Sequence, residues 1–317
     1  MNLPALIEAP HRRTDLTVWL TANKHLVDEL LAGPGAILLR GFDVGTTAQF
    51  RSAVAVVLGP LMEYVEGASP RALVGPNVYT STEYSPELLV ALHNELSYSH
   101  RWPARLAFYC QTPAPEGGQT PLADCRKVYS RIVDVLPEAF STVEYRRHLR
   151  STKGLAPTWQ TVFATEDNLA VEQYCRNADI AFEWTRKGGL RTRQIRPAAV
   201  LHPTLGEPVW FNQAHQWHPS NAGVDAEQML REAYGDQLPM DAFRGDGSRF
   251  AATELETIRT AYQAEESIFD WIRGDILLLD NMLTAHGRRA FSGPREVYVA
   301  MGGPISINTV EKAKINA

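Results

Sequence analysis

The chain has 317 residues, of which 44% are hydrophobic and 9% aromatic, and this is enough apolar material for one large core. Its formal net charge of -5, from 31 basic and 36 acidic residues, argues against a nucleic-acid partner or a membrane surface. The 3 cysteines lack CxxC spacing, which excludes a disulfide framework and favours thiols in a reducing cytoplasm. No long apolar segment follows the N-terminus, so we expect neither a signal peptide nor a membrane span.

The first third of the chain reads as scaffold. Residues 17–31 carry apolar side chains at helical spacing, and the Gly33-Pro34-Gly35 sequence ends this predicted helix. A short buried strand follows at 36–39, and a second helix is predicted at 47–58. From Tyr79 onward, short runs separated by Pro and Gly indicate a sheet-rich core, with a strand at 106–110 and a turn at 116–119.

Two helical inserts are predicted in the second half. The first lies near 127–190 and begins with a helix that Asp124 caps; residues 157–175 form another part of it. A pair of strands is expected at 191–201. The second insert lies near 225–265, with breaks at Gly235 and Gly245. We expect both inserts to belong to a single domain that spans residues 1–317.

The stretch from 274 to 295 combines a buried strand with polar residues. A Gly-Asp turn precedes the apolar run 276–279, which is short enough for a buried strand, and the chain then presents His286. Arg295 follows where the next strand begins, at 297–299. A histidine at a strand edge with an arginine soon after it suggests a metal ligand beside an anion anchor.

Two further ligands are available far upstream, in the sequence His93-Asn94-Glu95. In an extended strand, His93 and Glu95 point to one face, whereas Asn94 points to the other. Two histidines and one carboxylate on one side of an ion form the facial triad of non-haem Fe(II) oxygenases. Taken alone, His-x-Glu is also a chance pattern and His286 also fits a hydrogen-bonded core residue. The two features gain weight from occurring together.

The segment 210–219 contains the main alternative metal site. His215 and His218 are three residues apart, so on a helix they share a face that suits zinc. No nearby carboxylate or cysteine completes such a site, and we expect the segment to line a substrate pocket instead. Asn212 and Gln213 can each donate and accept hydrogen bonds, which suits an amino-acid backbone or an amide.

Several longer motifs resemble one known family. These motifs are VYTSTEY at 78–84, LHNELSYSHRWPARLAFYC at 92–110, PAPEGGQTPLADCR at 113–126, WFNQAHQWHP at 210–219 and the 274–295 stretch. Together they resemble the TauD/TfdA superfamily of Fe(II)- and 2-oxoglutarate-dependent oxygenases, over about residues 35–304. Within it, the chain is most similar to the syringomycin-biosynthesis hydroxylase-like branch.

The resemblance implies a double-stranded β-helix (jelly roll), mainly β with flanking helices. It implies that His93, Glu95 and His286 hold Fe(II). It also implies that Arg295 pairs with the far carboxylate of the cosubstrate 2-oxoglutarate with help from Thr120, and that O2 is the oxidant. A planar guanidinium matches a carboxylate with two parallel hydrogen bonds, and a hydroxyl can donate a third.

The activity implied is hydroxylation of an unactivated C–H bond, with release of succinate and CO2, in natural-product biosynthesis. Most of the superfamily has Asp where this chain has Glu95, and the branch tolerates Glu. Related halogenases lack the carboxylate, so Glu95 favours oxygenation over halogenation. Desaturation and epoxidation use the same residues and stay open.

The substrate implied is an amino acid or a related small amine or amide, either free or tethered to a carrier. The polar TSTEY segment lies just before the His93 strand, so we expect Thr82 and Glu83 to border the site together with Asn94; a surface loop fits the TSTEY sequence equally well. The oligomeric state stays open. Two other classes compete: a zinc hydrolase with Glu116 or Glu83 as general base, and a non-catalytic jelly-roll binding module. Oxo-acid turnover separates the first from an oxygenase, and the co-occurrence of five site residues disfavours the second.

Overall fold

The computed structural model describes residues 3–152 and 157–315 of the chain. Its strands are β1 (Ala5–Glu8), β2 (Ala36–Arg40), β3 (Leu73–Gly75), β4 (Val78–Thr80), β5 (Val90–His93), β6 (Arg101–Thr112), β7 (Glu116–Gly117), β8 (Leu122–Asp124), β9 (Thr142–Leu149), β10 (Ala181–Trp184), β11 (Leu190–Pro197), β12 (Ala199–Leu201), β13 (Pro208–Trp210), β14 (Met240–Arg244), β15 (Ile276–Asp280), β16 (Thr284–Arg288), β17 (Phe291–Ser292) and β18 (Glu296–Ser306).

The α-helices are α1 (Leu16–Ala22), α2 (Lys24–Ala32), α3 (Thr47–Leu58), α4 (Cys125–Ile132), α5 (Trp159–Phe163), α6 (Asn168–Asn177), α7 (Ala214–Trp217), α8 (Val224–Tyr234) and α9 (Ala252–Ala264). Short 3-10 turns lie at Glu138–Phe140, Pro219–Ala222 and Ile307–Thr309. Within the described ranges, no helix combines the length and the apolar character that crossing a membrane requires.

The largest sheet has seven strands in the order β1-β2-β15-β6-β18-β4-β3. Every residue of β15 is buried because both faces of this sheet are covered. Ile276 and Leu278 pack toward helices α1 to α3, whereas Leu277 and Leu279 face the opposite side of the sheet. The unbroken apolar run that the sequence shows here therefore reflects burial of two alternating faces.

A smaller sheet of three strands, β5-β16-β8, lies against the second face of the large sheet. Leu122 of β8 belongs to the same apolar cluster as Leu277 and Leu279, and the ring of Phe108 lies 5.1 Å from that of His286. The two sheets therefore enclose a core, and His286 lies inside it. Helices α4, α7 and α9 belong to the hydrophobic cluster that includes the smaller sheet's Leu92 and Ala285.

The predicted helices and strands agree closely with the structure where the sequence pattern involves neighbouring residues. The predicted helix 47–58 is α3, the predicted strand 36–39 lies within β2, and Asp124 caps α4 by accepting a hydrogen bond from Arg126 N. The predicted single helix over 17–31 is divided at Asn23, whose side chain donates to Trp19 O and caps α1.

The two inserts are not purely helical, and this prediction is wrong in part. The segment 127–190 contains α5 and α6, but also β9 and β10 of a separate four-stranded sheet in the order β10-β11-β9-β14. The segment 225–265 contains α8 and α9 with β14 between them. The period of β9 is hidden in the sequence because Glu144 and Arg147 are buried alongside its apolar residues.

Candidate metal and cosubstrate site

The three predicted metal ligands come together between β5 and β16. His93 ends β5, and it lies directly opposite His286 in the antiparallel register of the two strands. Their rings are 4.5 Å apart, and Glu95 follows His93 by two residues. One ligand atom from each of the three residues lies within 4.8 Å of the others, and all three residues are buried. In the part of the chain that the structure describes, this is the single group of three or more His, Cys, Asp or Glu residues with such spacing.

Both histidines are held in the neutral form. His93 Nδ1 lies 2.8 Å from Ala91 O, and because a carbonyl only accepts, Nδ1 carries the hydrogen and Nε2 keeps its lone pair. Burial lowers the pKa of His93 and, more strongly, that of His286, which keeps both imidazoles uncharged. His286 Nδ1 is buried without a hydrogen-bond partner. Two neutral imidazoles and one carboxylate fit Fe(II).

Glu95 is held by its backbone and by its carboxylate. Asn281 clamps the backbone: its Oδ1 accepts from Glu95 N at 2.8 Å, and its Nδ2 donates to Glu95 O at 3.0 Å. Arg71 Nη2 donates to Glu95 Oε2 at 2.5 Å, which leaves Oε1 for a metal ion. The carboxylate is thus fixed in a position from which one oxygen can bind.

The two predicted anchors line the same narrow cavity as His93 and His286. Arg295 Nε donates to Gly118 O at 3.0 Å and Nη1 donates to Ser81 Oγ at 3.3 Å, which leaves Nη2 for the cavity. Burial lowers the pKa of Arg295 to about 10, so the group stays positively charged at neutral pH. Gly118 has φ +72, and a Cβ there would lie 3.0 Å from Arg295 Cδ and Nε. Only glycine therefore allows the arginine this close approach.

Thr120 is oriented as a hydrogen-bond donor. Its Oγ1 accepts a hydrogen bond from Trp271 Nε1 at 3.1 Å, and the residue is almost fully buried. A hydroxyl carries one hydrogen, which remains free to donate. Thr120 can therefore offer that hydrogen to an anion in the cavity beside Arg295.

Comparison with known proteins places the chain in a family. The sequence profile of "Taurine catabolism dioxygenase TauD, TfdA family" matches residues 2–301. The chain is 34% identical over 309 residues to the dapdiamide synthesis protein DdaC of Enterobacter agglomerans, covering 95% of this chain and 94% of that protein. The chain belongs to the TauD/TfdA family.

A further relative agrees with this membership, and a solved structure shares the fold. A clavaminate synthase-like protein of Arabidopsis thaliana is 30% identical over 295 residues, covering 90% of this chain and 86% of that protein. A crystal structure of asparagine oxygenase in complex with Fe(II), 3-hydroxyasparagine and succinate superposes with a TM-score of 0.54 at 15% identity, covering 90% of this chain and 79% of that one. The predicted double-stranded β-helix is confirmed. As a TauD/TfdA member, the chain is an Fe(II)- and 2-oxoglutarate-dependent dioxygenase.

The two residues of the TSTEY segment have different surroundings in this family member. Thr82 lines the narrow cavity with His93 and Arg295, and its Oγ1 is buried without a partner. Glu83 is exposed and accepts a hydrogen bond from Thr80 Oγ1 at 3.0 Å. The structure therefore places Thr82 at the site and Glu83 outside it. The strand period does not reveal this difference, because the segment is a loop.

The three predicted amide contacts with substrate are not at the cavity. Asn94 Nδ2 donates to Asn281 O at 2.6 Å, and Asn212 Nδ2 donates to Ala198 O at 2.7 Å. Gln213 donates through Nε2 to Asn94 O at 2.7 Å and accepts from Trp217 Nε1 at 3.1 Å. All three side chains are buried and engaged in these internal bonds. Their assignment as substrate contacts is corrected: they brace the loops behind the triad.

The two histidines of the alternative zinc site do not form one. His215 Nε2 lies 2.9 Å from Leu92 O, and His218 Nδ1 lies 2.8 Å from Ser220 Oγ. Burial lowers the pKa of His215 to about 3 and that of His218 to about 4, so both are neutral. Their hydrogen bonds give each a role in packing.

Sequence reasoning missed two arginines at the site. Arg71 pairs with Glu95 as described above. Arg288 lines the narrow cavity, and its guanidinium donates to the carbonyls of Tyr84 at 3.0 Å, Ser85 at 2.6 Å and Leu88 at 2.9 Å. It thereby holds the loop that carries Thr82. Arg288 was detectable, because it lies two residues after His286 in the same strand; Arg71 lies in a loop without periodicity.

A larger cavity adjoins the narrow cavity. Its volume is about 700 Å³, and it shares Ser69 and Arg71 with the narrow cavity. The other walls come from the loop before β3, from the segment around Trp217 and from β14. We call it the outer cavity. It gives a compound of small-molecule size a place beside the triad.

Proposed function

We propose that His93, Glu95 and His286 hold Fe(II), that Arg295 and Thr120 bind 2-oxoglutarate, and that the enzyme hydroxylates a C–H bond of an amino-acid-like small molecule. The observation that carries the proposal is the 4.8 Å cluster of two imidazoles and a carboxylate, whose two histidines line one cavity with Arg295 and Thr120. Bound Fe(II) and 2-oxoglutarate supply the O2-dependent oxidation, with release of succinate and CO2.

The protein residues would bind the metal and the cosubstrate, and they neutralise the charge of the cosubstrate's far carboxylate. His93 presents Nε2 because Ala91 O holds its Nδ1 hydrogen, and Glu95 presents one oxygen because Arg71 holds the other. Arg295 faces the cavity with a positive charge and Thr120 with a hydroxyl hydrogen, which together suit the far carboxylate of the cosubstrate. The burial of the triad keeps water away from the reacting atoms.

An amino-acid-like substrate is supported by the relationship to a dapdiamide synthesis protein. We take the substrate as either free or tethered to a carrier, and the setting as natural-product biosynthesis in the cytoplasm. The free, buried thiols of Cys110, Cys125 and Cys175 agree with a reducing compartment.

Metal binding by the triad variants tests the first part of the proposal. Alanine at His93, Glu95 or His286 removes one of three ligands, so each variant should stay folded and lose most of its Fe(II) affinity. His215→Ala and His218→Ala are the matched controls and should bind Fe(II) like the unmodified protein. The assignment fails if the His286→Ala variant retains its iron.

Product analysis under labelled O2, with chloride present, tests the reaction. Glu95 occupies the place that a halide would need, so the product should gain one oxygen atom from O2 in step with succinate. A chlorinated product would overturn the role of Glu95. A product two hydrogens lighter without added oxygen would keep the site and move the assignment to desaturation.

A further inference from the structure

The walls of the outer cavity are mainly aromatic and aliphatic. They include Tyr64, Tyr79, Trp217, Leu238 and Met240. The tyrosine hydroxyls each already accept one hydrogen bond: that of Tyr79 from Tyr64 N at 3.1 Å, and that of Tyr64 from Ser69 N at 3.3 Å. Ring faces and alkyl groups therefore make up most of what these residues offer to a ligand, and such a wall binds apolar or aromatic groups.

One formal charge faces this cavity. Among its described lining residues, Arg71 is the one Lys, Arg, Asp or Glu, and its side chain is only 4% exposed. Its Nε is buried and has no hydrogen-bond partner. The nearby His218 is neutral, since burial lowers its pKa to about 4. The cavity thus has one cationic end, beside the triad, and neutral walls elsewhere.

Once the metal ion and 2-oxoglutarate are bound, Glu95 balances the positive charge of Arg71 only in part. Glu95 is its one anionic partner in the described structure, at 2.5 Å, and on the proposed function this carboxylate is shared with the metal ion. Arg295 accounts for the far carboxylate of the cosubstrate. A buried cation without a full counter-charge is costly, so an anionic group of a ligand would be bound strongly at this point.

The size of the cavity exceeds that of a free amino acid. At roughly 30 Å³ per non-hydrogen atom, the figure for liquid water, a volume of about 700 Å³ holds about twenty such atoms. This is about twice the content of an amino acid of medium size. A free amino acid bound near Arg71 would leave about half of the cavity unfilled.

We propose that the substrate is an amino acid extended by an apolar or aromatic acyl group, with one carboxylate that Arg71 recognises beside the metal. The inference rests on the proposed function, because it places the reacting carbon near the triad. It assigns Arg71 as a specificity-determining residue and the outer cavity as the acyl subsite.

Anaerobic calorimetry on the enzyme loaded with Fe(II) and 2-oxoglutarate tests this class of ligand. Three probes are compared: N-benzoyl-L-leucine, its neutral primary amide, and free L-leucine. Loss of one partner of a buried charge pair weakens binding at least about thirtyfold, so the acid should bind at least that much more tightly than the amide. The acid should also bind at least about tenfold more tightly than leucine, which lacks the acyl group.

Variants separate recognition by Arg71 from its contact with Glu95. In Arg71→Met, the ratio of acid to amide affinity should fall to within about threefold of unity. Because both affinities are measured in one protein, a general loss of metal or stability does not produce this result. Arg71→Lys should restore part of the ratio, and the exposed Arg186→Met should leave it unchanged. Met240→Trp should weaken the acid and leave leucine unaffected.

The outcomes distinguish failure of this inference from failure of the proposed function on which it rests. Equal binding of acid and amide, or of acid and leucine, overturns the inference and leaves the metal assignment in place. Failure of all three probes to bind a properly formed Fe(II)·2-oxoglutarate complex also overturns it, in favour of a carrier-tethered substrate. Failure of that complex to form refutes the proposed function and the inference with it.

Discussion

Replacing Arg295 by alanine should weaken 2-oxoglutarate binding more than any other single change outside the metal ligands. The guanidinium is held in place because Nε donates to Gly118 O at 3.0 Å and Nη1 donates to Ser81 Oγ at 3.3 Å. These two bonds fix the group in the lining of the narrow cavity, where Nη2 can meet a carboxylate. In Arg295→Ala that carboxylate would be buried without its charged partner. Such a loss costs about 2–5 kcal/mol, or about thirty- to several-thousand-fold in affinity.

The structure refines this expectation for two related variants. Arg295→Lys keeps the charge but loses the planar fork, so its affinity should fall between those of the unmodified protein and Arg295→Ala. Thr120→Val removes one neutral donor and should cost about 1–3 kcal/mol. It also leaves Trp271 Nε1 without its acceptor, so stability must be measured alongside.

The assay is an anaerobic titration of the Fe(II)-loaded protein with 2-oxoglutarate, followed by calorimetry and by the charge-transfer absorption of the complex. The exposed Arg186→Ala is the control for loss of a positive charge at a distance. If Arg295→Ala keeps an affinity within about threefold of the unmodified protein, the anchor assignment is wrong.

Three further predictions concern a glycine beside Arg295, a buried carboxylate and the buried thiols. Gly118→Ala should lower 2-oxoglutarate affinity in a folded protein, because φ is +72 there and the new Cβ would lie 3.0 Å from Arg295 Nε; unchanged binding in a titration would contradict this. Glu66→Ala should lower the free energy of unfolding in urea by about 3 kcal/mol, because Ser99, Tyr174 and Gln194 all donate to its buried carboxylate; a loss below about 1 kcal/mol would count against this role. Burial raises the pKa of Cys110, Cys125 and Cys175 to about 12, so at mildly alkaline pH the native thiols should stay protonated and resist Ellman's reagent, whereas the unfolded protein should react fully.

Much of the scaffold and the proposed metal triad could be predicted from local sequence patterns. The buried run of β15 is visible because four successive apolar residues face two covered sides of a sheet. Side-chain alternation along an extended strand predicted that His93 and Glu95 share a face, whereas β5 ends at His93 and Asn281 holds Glu95 in the turn that follows. Asp124 is recognisable as a cap because its partner, Arg126 N, is two residues away. In each case the pattern that supports the prediction spans only a few residues of sequence.

The assignment of polar side chains to pocket or interior depended on residues distant in the chain. Asn94 is engaged by a carbonyl 187 residues away, and Gln213 by one 119 residues away, so neither is free for a substrate. Arg71 acquires its role from Glu95, 24 residues later, across a loop with no repeating pattern. An amide or guanidinium in the sequence shows what it can bind. Only the folded chain shows which partner already lies within hydrogen-bond distance. A buried polar group must be hydrogen-bonded, so an internal partner at that distance takes up the group and leaves it unavailable to a substrate.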